Sequence, residues 1–197
     1  MLEWRIGGVR CRLSLLLPAW ITALLLWQPD GLAVSCLLAS LIHEGGHLLA
    51  MMALKVAPTE CTLGAFGVRM DTRNTLAGYG RTFLVALAGP LANGVTAIIL
   101  YWMNSPFAAV VHVALAAVNL LPVAALDGGE LLRCGMCLMG LERLADAFLR
   151  LASVLVLVPI AVVSLWLLLD RHNPSLTIIC AYLVALMLFS KKNEKST

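Results

Sequence analysis

Charge is scarce in this sequence: Asp, Glu, Lys and Arg make up 13% of its 197 residues, against 61% hydrophobic residues and a mean hydropathy of +0.92. A soluble globular domain carries roughly twice that share of charge, so a water-soluble core is excluded and a membrane protein is indicated. The net charge of +3 says little as a total, because in a membrane protein the placement of Lys and Arg carries the information, and nucleic acid is not an expected partner. No low-complexity segment, internal repeat or soluble domain stands out. A second cysteine pair is also missing. Cys134 and Cys137 form a CxxC, but metal sites of that kind normally need two such pairs, so a structural role is expected for them. Together with Cys11, Cys36, Cys61 and Cys180 they imply no disulfide framework, because all six fall in apolar spans or on the side where thiols stay reduced.

What the sequence does have is apolar length. Stretches approaching the roughly 20 residues that cross a hydrocarbon layer lie at 13–27, 32–54, 83–103, 107–126, 151–169 and 176–190. The expected fold class is therefore an all-α polytopic membrane protein with about six transmembrane helices. Cytoplasmic loops concentrate Lys and Arg, which tests that segmentation independently. With both ends inside, Arg5, Arg10, Arg12, Lys55, Arg69, Arg73, Arg81, Arg133, Arg143, Arg150, Lys191, Lys192 and Lys195 all fall on the inner side, and only Arg171 falls outside. Three arginines before the first run also suggest a signal peptide, but a cut at "LAVSC" would remove the start of the second run, so a retained first helix is expected. The segments 56–80 and 127–150 are the substantial pieces outside the spans, both on the inner side.

The second run contains "LIHEGGHLLA" at 41–50. Residues four apart share a helix face, so His43 and His47 can offer two imidazole nitrogens to one metal ion, with Glu44 beside them as a general base. This is the HExxH pattern. An ionisable residue inside a spanning helix costs about 2.5 kcal/mol or more, and three within five residues call for compensation that metal ligation supplies. Histidines that only hydrogen-bond neighbouring helices would leave Glu44 unexplained. Gly45 and Gly46 weaken the helix and are best understood as admitting another backbone, from a substrate or a neighbouring helix.

A catalytic zinc usually takes three protein ligands, so a third is needed at the same depth. Seven residues separate His47 from the inner helix end at Leu54, about 10 Å at the helical rise, which puts the metal in the cytoplasmic third of the membrane. His112, near the outer start of its span, is expected to lie too far out. His172 and Asp30 are on the outer side, and Asp71 and Glu60 belong to a loop of unknown depth. Asp127, at the inner end of the fourth span in "NLLPVAALDGGE", is the best candidate, with Glu130 in reserve. Pro122 removes a backbone donor and Gly128 and Gly129 let the chain leave helical geometry, as expected where broken backbone lines a cavity.

These motifs together resemble the site-2 protease family of intramembrane metalloproteases, which pairs HExxH in one span with an Asn/Pro-containing LDG motif in a later one. Here they are "HEGGH" at 43–47 and "NLLPVAALDGG" at 119–129, with "AGPLAN" at 88–93 similar to the family's GPxxN element. The resemblance covers 32–129. It implies one zinc ion held by His43, His47 and Asp127, Glu44 as general base, and Asn119 and Asn93 lining the substrate cleft. It also implies a short membrane-dipping β-hairpin at 61–72, its turn marked by Gly64 and Gly67, whose edge could pair with an extended substrate strand. Size and span plan look most like the sporulation-factor processing branch. Neither that branch's cytoplasmic ligand-sensing domain nor the extracytoplasmic peptide-binding domain of others is expected here, so substrate and regulation do not carry over.

The function expected is hydrolysis of a peptide bond in or near a transmembrane segment of a protein substrate. The chain would be a single membrane-embedded protease domain, 1–197, in a cell membrane and expected to be bacterial, with its site toward the cytoplasm. Its expected partners are that substrate, the bilayer, and membrane regulators or a second copy. A metal transporter or permease, and a non-catalytic membrane scaffold, are the competing readings. Transport would spread ionisable residues through several depths, and a scaffold would have lost a ligand or the base.

Overall fold

The computed structural model describes residues 2–6, 9–13, 31–56, 60–64, 67–71, 78–171, 177 and 180. Among them are five helices: α1 (Leu32–Ala53), α2 (Tyr79–Trp102), α3 (Pro106–Asn119), α4 (Asp127–Leu138) and α5 (Glu142–Arg171). Three of them, α1, α2 and α5, are long and apolar enough to cross a membrane, and α3 is a shorter apolar helix. Their outward faces carry exposed Leu41, Leu49, Ile98, Val162 and Trp166, apolar side chains that water would not favour and a hydrocarbon layer accepts. The expected spans at 13–27 and 176–190 lie almost wholly outside the described residues.

Two compact units divide the chain, Met1–Val118 and Asn119–Thr197. The first holds α1 to α3 and a four-stranded sheet in the order β1 (Leu2–Ile6), β2 (Val9–Leu13), β3 (Glu60–Gly64), β4 (Gly67–Asp71). β1 and β2 are antiparallel, β2 and β3 parallel, and β3 and β4 antiparallel, with Gly64 opposite Gly67 at the end of the last ladder. The N-terminal strands were not anticipated. Yet "LEWRI" and "VRCRL" alternate apolar and charged residues around Gly7 and Gly8, the period-2 signal of a hairpin, which the run of arginines obscures.

Helix ends follow local chemistry. α1 and α2 each close with a residue at positive φ, Lys55 and Asn104, and α4 closes at Gly140. Past each, one N–H reaches back to a carbonyl of the last turn: Val56 to Met51, Ser105 to Leu100, and Leu141 to Met136, all at 2.9 Å. These are Schellman closures, which satisfy carbonyls the helix leaves open.

The fourth expected span, 107–126, is corrected. Its helix stops at Asn119, because Pro122 lacks an N–H and disfavours helical geometry in the residue before it. In the second unit the chain from Leu120 to Leu126 is irregular, with the Ala124 N–H donating to the buried Ser153 Oγ at 3.0 Å, while that hydroxyl donates to the Leu149 carbonyl at 2.8 Å. Val123 and Leu157 form the buried core beside it, with Leu121, Leu126 and Val156 packed around them.

Candidate metal centre

α1 brings His43 and His47 together on one face, both buried. Their rings meet nearly edge to face, at 87° with centroids 4.8 Å apart, and the two Nε2 atoms are separated by 3.2 Å. One tetrahedral ion bound at Zn–N distances of about 2.0–2.1 Å would hold two ligand nitrogens about 3.3 Å apart. The pair therefore fits a shared ion. Glu44 follows on the same helix and is half-buried.

The wall behind the pair is α2, and small residues let it approach. A Cβ on Gly46 would lie 2.6 Å from the Ala88 carbonyl oxygen and 2.8 Å from the Ala92 Cβ. One on Gly89 would clash with Nε2 of His47 and come within 2.9 Å of Cε1 of His43. Gly45 meets no described atom within 4 Å, so among the described residues it is Gly46 that admits the neighbouring backbone. His47 donates its Nδ1–H to the Val85 carbonyl of α2 at 2.8 Å, which puts the ring's lone pair on Nε2, the form a metal requires. Pro90 lies within α2, and its missing N–H leaves a carbonyl of this turn without its usual helical donor.

Asn93 has no exposed surface, and both ends of its amide are engaged. Its Nδ2 donates to Nδ1 of His43 at 3.2 Å, and its Oδ1 accepts from Nδ1 of His112 at 3.0 Å. This corrects the depth assigned to His112. α3 carries that residue buried and one side chain away from His43, so it is not displaced toward the outer surface. Counting residues along a continuous helix to Asp127 gave the wrong depth, because α3 does not continue that far.

In the second unit, Asp127 is the first residue of α4, after an extended Leu126. A carboxylate there is favoured by the positive end of the helix dipole. Gly128 and Gly129 do not release the chain from a helix, as expected from the sequence, but lie inside α4 against the preceding segment. A Cβ on Gly128 would strike the Leu120 and Leu121 carbonyls, and one on Gly129 the Val123 carbonyl. Asn119 ends α3 and is half-buried. By donor type, His43, His47 and Asp127 could hold a metal ion.

The CxxC has a different setting. Cys134 is buried and its Sγ lies 3.4 Å from Oε1 of Glu130, one turn earlier on α4. Burial, reinforced by the Glu130 carboxylate, pushes the Cys134 thiol up to about 12. At pH 8 its thiolate fraction is then only about 10⁻⁴, and thiolate is the reacting species. Iodoacetamide at pH 8, with modified cysteines mapped by mass spectrometry, is expected to leave Cys134 unlabelled until the protein is unfolded in SDS. Rapid labelling of folded protein would contradict this environment.

No family model matches the sequence, and no curated protein matches it. A solved structure does: a site-2 protease from Methanocaldococcus jannaschii aligns over 92% of this chain and 91% of its own, with a TM-score of 0.66 at 15% identity. The chain is thus a helical membrane protein with a site-2 protease-like fold.

Proposed function

We propose that the chain is an intramembrane zinc metalloprotease that hydrolyses a peptide bond in or near a transmembrane segment of a protein substrate. The observation that carries this is the buried His43 and His47 pair, with its Nε2 atoms at single-ion spacing and one imidazole already oriented by a carbonyl. Asp127 is the proposed third donor, and Glu130 is less suited because its carboxylate faces Cys134. The fold supports the same class of protein. Its likeness does not favour the sporulation-factor branch, and nothing below depends on that branch.

When bound, zinc would lower the pKa of a water toward about 7 and polarise the scissile carbonyl. Glu44 takes a proton from the attacking water and delivers it to the leaving amine. A helical substrate hides its amide bonds, so the segment to be cut must first become extended. β4 stands at an edge of the sheet, and an extended segment pairing with such an edge gains main-chain hydrogen bonds without demanding one sequence. That role would place Gly64 and Gly67 at the substrate end of the β3/β4 pair. Asn119 is proposed to contact the substrate backbone. The distribution of Lys and Arg favours cytoplasmic termini and a site toward the cytoplasmic side.

Metal content of detergent-purified protein, measured by mass spectrometry, tests the ligand set without a known substrate. Wild type is expected to retain about one zinc per chain, as one His, His, Asp site requires. Asp127→Ala is expected to lose more affinity than the about 10–100-fold that loss of a supporting residue costs. Full zinc in Asp127→Ala would remove Asp127 as a ligand, and no metal in wild type would remove the protease reading.

A further inference from the structure

The proposed chemistry gives His112 no part, yet the structure wires it to one of the proposed ligands. His112, Asn93, His43 and His47 are all buried and form a chain across α3, α2 and α1 that ends on the Val85 carbonyl. A neutral imidazole has one N–H and one lone pair, so the direction of each bond fixes each tautomer. His112 donates from Nδ1 to Asn93 Oδ1, and Asn93 donates from Nδ2 to Nδ1 of His43. His43 then carries its proton on Nε2, the atom 3.2 Å from Nε2 of His47. His47 carries its own proton on Nδ1, facing Val85.

That polarity suits His47 as a ligand and not His43. Ligation through both Nε2 atoms needs a lone pair on each, so His43 must hold its proton on Nδ1 and have an acceptor in front of it. Ligating histidines generally find one in a carboxylate, a carbonyl or water. Here the facing group is the Asn93 amide. A half-turn of that amide presents Oδ1 to His43 and Nδ2 to His112 at unchanged positions, since its two ends are nearly the same size. His112 must then accept at Nδ1 and carry its proton on Nε2. Each imidazole keeps one proton throughout, so the exchange is balanced.

We propose that Asn93 and His112 are positioning residues for the metal centre, forming a three-helix hydrogen-bond chain whose polarity reverses when His43 takes a metal ion. The inference rests on the metal reading above. It gives His112 a specific part, because as an acceptor that residue holds the Asn93 amide in the orientation that keeps His43 a ligand.

The sequence has four histidines, few enough for ring-nitrogen NMR of the full chain in detergent, with His112→Gln used to assign that residue. Spectra are recorded with chelator and with one equivalent of zinc. The expected result is that His47 keeps its proton on Nδ1, His43 moves its proton from Nε2 to Nδ1, and His112 moves its proton from Nδ1 to Nε2. Zinc bound with the His112 tautomer unchanged would overturn the inference and leave the metal reading intact. No zinc bound to wild type would overturn both. Chelator competition supplies a second readout: Asn93→Leu is expected to weaken zinc by about 10–100-fold, while Asn93→Asp, whose carboxylate only accepts, restores binding. Equal loss in both variants would reduce Asn93 to a packing role and overturn the inference.

Discussion

A Glu44→Gln chain is expected to retain zinc as wild type does and to cleave a single-span reporter protein at least about 10²–10⁴-fold more slowly, the usual contribution of a positioned general base. Glutamine keeps the size and reach of the side chain but cannot take a proton from water at neutral pH. The hydrogen bonds that orient the imidazoles from α2 run to Val85 and Asn93, so the metal-binding pair should survive the change. Cleavage is read by gel on a reporter whose spanning helix carries weak helix formers, reconstituted with the protease in liposomes, and metal content is measured on the same preparation. Retained turnover within tenfold of wild type would remove Glu44 as the base. Zinc transport that persists in the variant, with no cleavage by wild type, would move the protein to the transporter class.

The parts of this arrangement that were legible in the sequence are those governed by short-range rules. A four-residue spacing puts His43 and His47 on one face whatever the tertiary structure does, and α1 and α2 follow from apolar length. The glycines of "HEGGH" signalled a close backbone approach, and the structure sets Gly46 against Ala88 and Ala92 of α2. What depended on helix ends was less legible. The run 107–126 has the composition of a span, but the restriction that Pro122 places on its neighbours ends α3 at Asn119. That break displaced the depth assigned to His112 and turned Asp127 from the last residue of one helix into the first of another. The partner of Asn93 could not be read from spacing, because it depends on the rotation of α3 about its axis. A buried amide between two apolar helices had to find partners, and the structure supplies two imidazoles. The N-terminal strands were legible in principle, from alternation around a Gly-Gly pair, but lay hidden behind the stronger pattern of basic residues before an apolar run.

Packing and chemistry meet most tightly at Gly89, and Gly89→Ala is expected to leave the chain folded while abolishing stoichiometric zinc. The added methyl would press against Nε2 of His47 and crowd Cε1 of both rings, with His47 Cε1 at 2.6 Å and His43 Cε1 at 2.9 Å. Neither ring can retreat freely. Turning His47 breaks its bond to Val85, and turning His43 breaks its bond to Asn93. Overpacking of this kind costs about 1–3 kcal/mol, but alanine is also the better helix former by roughly 1 kcal/mol, so the helix itself is favoured by the same change. The net loss should therefore appear in the site more than in the fold. Gly94→Ala is the control, since no described atom lies within 4 Å of a Cβ there, and it should keep its zinc. The comparison requires metal content and thermal denaturation of both variants in detergent. Full zinc in Gly89→Ala would mean that α1 and α2 separate at little cost, and the close contact of the two helices would no longer account for how the histidine pair is held.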